Sequence, residues 1–137
     1  IQLAKEKDST LAAIATKSLK EVNYHCRWSG EWVLRLGDGT AESHTRLATA
    51  LENLWPYTGE LFKGVEYELA LGMDPASLYT PWLSAVQSTF EEATLSLAPV
   101  ASCFMQLGGK TGIHTEELGY ILADLQYMQR AYPGCDW

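Results

Sequence analysis

Two groups of side chains in this sequence have the types and spacing to do chemistry. Glu21 and His25 stand four residues apart, and Lys110, His114 and Glu117 gather beside the run Gly108-Gly109-Lys110-Thr111-Gly112. On a helix, residues four apart share a face one turn apart. Glu21 and His25 therefore read either as a vestigial or partial metal site or as a polar pair satisfied inside a helical bundle. The second reading is the expected one, because buried polar groups normally find hydrogen-bond partners. Lys110 and the amides of its loop could contact an anionic ligand or a partner near a helix start. A plain glycine connector is the more ordinary use of such a run. His114 and Glu117 have no paired nucleophile, so an acid–base role is not expected of them. Their stretch, His114-Thr115-Glu116-Glu117, offers capping groups and an acidic first turn suited to a helix dipole.

Stronger motifs fail on inspection. Bundle di-iron centres take a glutamate from each of two helices and Glu-x-x-His from each of the other two. Here Val22, Ala41 and Thr111 lie three residues before His25, His44 and His114, while Tyr24 and Trp55 lie three after Glu21 and Glu52. A complete di-iron centre cannot be built from these residues, and no catalytic residue, metal or other cofactor is expected in the chain. Gly109-Lys110-Thr111 has the look of a phosphate loop, but Phe104 stands where that motif needs its first glycine. No Ser-His-Asp, Cys-His or zinc spacing occurs. His44 is expected to lie at the surface or to cap a helix.

Helices must carry these residues, since helical periodicity dominates and neither strand-like alternation nor an internal repeat is visible. The first predicted helix covers residues 9–36, with Leu11, Ala15, Leu19, Val22, Cys26, Val33 and Leu36 on one face. Ile14, Trp28 and Trp32 widen that face, and Cys26 is expected to be a small buried apolar residue. Gly37-Asp38-Gly39 is predicted to end the helix as glycine C-caps do. Thr40 is predicted to cap a second helix bearing Leu47, Leu51, Leu54, Thr58 and Leu61, kinked or broken at Pro56 and ended by Gly64. Residues 65–73 read as a connector with a short helical turn. Thr80-Pro81 signals a third helix with Leu83, Val86, Phe90, Ala93 and Leu97 on one side. After an irregular stretch at 99–112, a fourth helix is predicted from His114 or Thr115 to Ala131, burying Leu118, Ile121, Leu122, Leu125 and Met128. Short connections of this kind favour an all-α bundle, taken as a single domain over residues 1–137. The first two helices expose too much apolar surface for a lone hairpin, so later helices, further sequence or another chain must cover them. The five tryptophans are expected to anchor core and interfaces.

Composition narrows the classes of partner. The 137 residues are 47% hydrophobic and 20% charged, an ordinary globular balance that argues against disorder. A net charge of −7 makes nucleic acid and anionic membrane surfaces poor partners. No apolar run is long enough to span a bilayer, and Lys5, Glu6, Lys7 and Asp8 interrupt any signal-peptide core. Cys26, Cys103 and Cys135 form no CxxC pair, which fits a reduced compartment and a cytoplasmic location.

Three stretches carry a family resemblance. KEVNYHCRW from Lys20 to Trp28, LRLGDGT from Leu34 to Thr40 and LWPYTGELF from Leu54 to Phe62 resemble the PaaC-type structural subunit of the multicomponent phenylacetyl-CoA 1,2-epoxidase of phenylacetate catabolism. The ending GGKTGIHTEELGYILADLQYMQRAYPGCDW is similar almost throughout, whereas the connector at 65–79 matches less well. The resemblance implies a ferritin-like bundle, of which this chain would be the C-terminal half with its C-terminal helices. It implies a non-catalytic scaffold in complex with a catalytic sister subunit that bears the iron and epoxidises the aromatic ring of the coenzyme A thioester. Lys110, His114 and Glu117 would then be contacts to that partner or lie near the thioester. Members of the family are roughly twice as long, so Ile1 is expected to start a C-terminal half. The cover for the first two helices would come from a second copy or from the N-terminal half of the same subunit. Two other readings stay open at this point: a self-sufficient ferritin-like metalloenzyme, and a helical interaction module with no link to oxygenation.

Overall fold

The computed structural model describes residues 8–136, and no strand occurs among them. The all-α class therefore holds. The described residues form six α-helices: α1 (Ser9–Gly37), α2 (Ala41–Leu54), α3 (Glu66–Ala70), α4 (Tyr79–Glu92), α5 (Glu117–Leu125) and α6 (Tyr127–Ala131). The chain divides between Gln106 and Leu107 into two compact units. Trp137, one of the expected aromatic anchors, lies outside the described residues.

In the first unit, α1 starts where the Asp8 carboxylate accepts the Thr10 and Leu11 amides at 2.8 and 3.1 Å. Those are two of the donors that a helix start leaves without intrahelical partners. The helix runs for 29 residues, a length of roughly 44 Å. Its apolar face is only partly covered: Leu11, Ala15, Leu19 and Val33 are half-buried, while Ile14, Val22, Trp28, Trp32 and Leu36 are exposed. Cys26 is exposed too, contrary to the expectation of a buried residue. The reason is positional, since residues 20–29 are exposed throughout and nothing described packs closely over the middle of α1. Glu31 pairs with Arg27 and Arg35 at 3.9 Å on the helix surface. Such exposed pairs are worth about 0.3–0.5 kcal/mol each and cannot fix the helix in place.

The C-terminal end of α1 is the part that is held. The last turn leaves carbonyls without intrahelical partners, and three of them find one nearby. Leu34 O accepts the Asp38 amide at 2.9 Å, Leu36 O accepts the Ser43 hydroxyl at 2.7 Å, and Gly37 O is bonded by His44 Nδ1 at 2.9 Å. The Thr94 hydroxyl reaches the same Gly37 carbonyl, and His44 Nδ1, at 3.4 Å each. Because a carbonyl only accepts, the His44 bond places a proton on Nδ1. The expected left-handed glycine cap is not used: Asp38 is the capping residue at φ −92°, and Gly37 is still helical. Gly37 is instead needed for its size. A Cβ there would lie 2.3 Å from the Ala93 carbonyl oxygen and 2.8 Å from the Ala93 Cβ.

Thr40 caps α2 as expected, and Ser43 completes the reciprocal box: the Ser43 amide donates to Thr40 Oγ1 at 3.1 Å and the Thr40 amide to Ser43 Oγ at 2.9 Å. Pro56 breaks the helix rather than kinking it. The chain leaves α2 at Leu54 and continues as two tight turns, Trp55–Tyr57 and Gly59–Phe62. The break directs both Trp55 and Phe62 onto Trp82 of α4, with ring centroids 5.5 and 4.9 Å apart. The Pro56 carbonyl accepts the Gln106 amide at 2.8 Å. The short turn expected in the connector is α3. The start of α4 differs from expectation: no side chain caps it, Thr80 included, and Asp74 caps the turn that precedes it. Asp74 Oδ1 accepts the Ser77 amide at 3.3 Å, and the turn Pro75–Leu78 runs directly into α4 at Tyr79. Pro81 falls in the first turn of α4, where its missing N–H costs no helical bond.

The end of α4 is a Schellman motif: Leu95 N bonds Phe90 O at 2.8 Å and Thr94 N bonds Glu91 O at 3.1 Å. Its left-handed position is taken by Thr94 at φ 59°, a conformation that costs a β-branched residue on the order of 1–3 kcal/mol. Around this corner lies the buried apolar core of the described residues: Trp55, Ala93, Leu95 and Val100.

In the second unit the fourth predicted helix is two short ones, α5 and α6, parted at Gln126 with φ −98° and ψ 0°. Leu118 is half-buried, but Ile121, Leu122, Leu125 and Met128, expected to be buried, are exposed. Helices of nine and five residues offer each other too little surface to bury them.

Replacing Gly37 by Ala should lower stability by about 1–3 kcal/mol through overpacking against backbone. Gly30→Ala, in mid-α1 with nothing within 4 Å of the added Cβ, should raise it by about 0.5–1 kcal/mol. Urea melts of the two variants would read opposite shifts in midpoint. His44→Ala should cost about 1–2 kcal/mol by leaving the Gly37 carbonyl without its main partner, and the same melts would detect it.

Candidate functional site

The residues singled out for chemistry divide between the two units. Glu21 and His25 lie on the exposed middle of α1. Their spacing brings them onto one face, as the helix dictates, but neither is buried inside a bundle in the described structure. The His25 ring stands edge-on to Tyr24, with centroids 6.0 Å apart. Among the described residues, no group of three or more His, Cys, Asp or Glu side chains is placed to hold a metal ion. Two donors one turn apart, with neither the second helix pair nor a third ligand, do not fit a di-iron group.

Lys110, His114 and Glu117 belong to the second unit. Lys110 is half-buried in the tight turn Gly109–Thr111, His114 is exposed, and Glu117 is the exposed first residue of α5. The loop is organised by one carbonyl. Gly108 O accepts the Thr111 amide at 2.9 Å, the Ile113 amide at 2.8 Å and the Thr111 hydroxyl at 3.0 Å, while Gly109 O accepts the Gly112 amide at 3.2 Å. The amides of residues 111–113 are therefore directed at the loop's own carbonyls, not outward at an anion. Gly108 sits at φ 113°, and a Cβ on it would lie 2.8 Å from the Ile113 Cβ, so glycine is required there for backbone reasons.

The expected capping at the start of α5 takes a different form. No side chain caps the helix amides. The Thr115 hydroxyl instead bonds the Glu117 carboxylate and, with the Glu117 amide, holds its pKa below the ordinary value of 4.5. A depressed carboxylate pKa adds stability above its unfolded-state value and loses it as the pH falls through the folded one. Because Glu117 is fully exposed, that contribution is small.

Two of the open clefts in the first unit contain none of the residues above. One, of about 390 Å³, is lined by Leu36, Thr40, Ser43, Arg46 and Leu47, with Arg46 paired to Glu42 at 2.7 Å. The other, of about 240 Å³ and almost wholly apolar, runs between α2 and α4 past Leu51, Trp55, Trp82, Val86 and Phe90. The residue whose importance sequence reading underrated is His44. It does cap, as expected, but it caps the preceding helix and links it to the end of α4. The available signal was its place in the first turn of α2, directly after Gly37-Asp38-Gly39-Thr40 turns the chain.

No helix among the described residues is long and apolar enough to cross a membrane. Compared with known families, residues 1–137 match the one described as phenylacetic acid catabolic protein. Among curated proteins, one of the subunits of the 1,2-phenylacetyl-CoA epoxidase of Escherichia coli (strain K12) is 41% identical over 141 residues, covering 99% of this chain and 56% of that protein. The chain thus spans little more than half the length of the curated relative it matches.

Thr115→Val should move the Glu117 titration upward toward the ordinary carboxylate range, with the midpoint read from the side-chain carbon shift by NMR. An unmoved midpoint would mean that Thr115 is not the cause.

Proposed function

This chain belongs to the family of phenylacetic acid catabolic proteins, and from that premise we propose that it is a non-catalytic structural subunit of a phenylacetyl-CoA ring epoxidase. In this reading it pairs with a di-iron catalytic sister subunit in phenylacetate degradation. The observation that carries the reading is the identity to a protein named as a subunit of such an enzyme, maintained over 99% of this chain. Two physical features support it. The sequence lacks Glu-x-x-His at every histidine, so the ligand set of a bundle di-iron site has to come from elsewhere. The broad apolar face of α1, with Trp28 and Trp32 exposed, has the aromatic character of a surface that another polypeptide covers.

In the same reading, Glu21 and His25 are a vestige of a metal site rather than ligands. Lys110, His114 and Glu117 offer side-chain contacts to the sister subunit or to the coenzyme A thioester held there. Lys110 is the residue best suited to an anionic group, because its ammonium is a compact charge with three rotatable donors.

Co-expression with the sister subunit, followed by native mass and metal analysis of the purified material, tests the scaffold role. A stable complex with the iron retained by the sister chain is the expected result. About two irons bound per copy of this chain alone would overturn it and make Glu21 and His25 ligands in a self-sufficient metalloenzyme. For the contact, Lys110→Ala should weaken turnover of the assembled epoxidase while leaving assembly intact. Unchanged turnover and assembly would remove Lys110 from the reading.

A further inference from the structure

We draw no further inference here: the strongest candidate, the exposed apolar face of α1 around Ile14, Val22, Trp28 and Trp32, carries nothing because nothing in the structure shows what covers it.

Discussion

A helix presents carbonyl groups at its C-terminal end that its own backbone cannot satisfy, and the first unit of this chain is organised around supplying them. The last turn of α1 receives the Asp38 amide, the Ser43 hydroxyl and the His44 imidazole. Ser43 and His44 belong to the first turn of α2, so satisfying one helix end also fixes the direction of the next helix. The same corner admits α4 only because residue 37 has no side chain to strike Ala93. Thr94, held in a left-handed conformation that glycine would adopt without cost, closes the corner from the far side with its hydroxyl. A polar requirement and a steric one thus meet at a single point, and α1, α2 and α4 take their places from it.

Apolar burial does less than the composition suggests. Nearly half the sequence is hydrophobic, yet the buried apolar residues described are confined to the region of Trp55, Ala93, Leu95 and Val100. Many other large side chains, from Ile14 on α1 to Leu125 on α5, stay substantially exposed. Most helical stability in proteins comes from packing an apolar face rather than from propensity. A helix of 29 residues with a broad exposed aromatic face therefore draws little of that packing from the described residues.

Chemistry in a helical bundle depends on how many donors converge, not on which donors are present. Glu21 and His25 have the right types and a shared face, but a single helix contributes at most two donors at one level. The loop at 108–112 has the glycines and the lysine of an anion site, but the amides of residues 111–113 are turned onto its own carbonyls. Both cases separate residue type, which a sequence displays, from the direction of lone pairs and N–H bonds, which it does not.

The sequence by itself determined the all-α class, the extent of α1, the Thr40 cap, an interruption at Pro56 that it left open as kink or break, the short turn before α4 and the family. Each of these rests on local backbone chemistry or on stretches of contiguous residues: a hydroxyl three residues from an amide, a proline without its N–H, a period of three to four. Only the tertiary structure decided that Gly37 serves contact rather than turning, that His44 reaches back to the helix before it, and that Cys26, Ile121, Leu122, Leu125 and Met128 stay exposed. Periodicity identifies which side of a helix is apolar, but burial also requires a second surface at the right distance. The positions of Ala93 and Thr94 beside the end of α1, more than fifty residues away in the chain, are set by packing that no local pattern encodes.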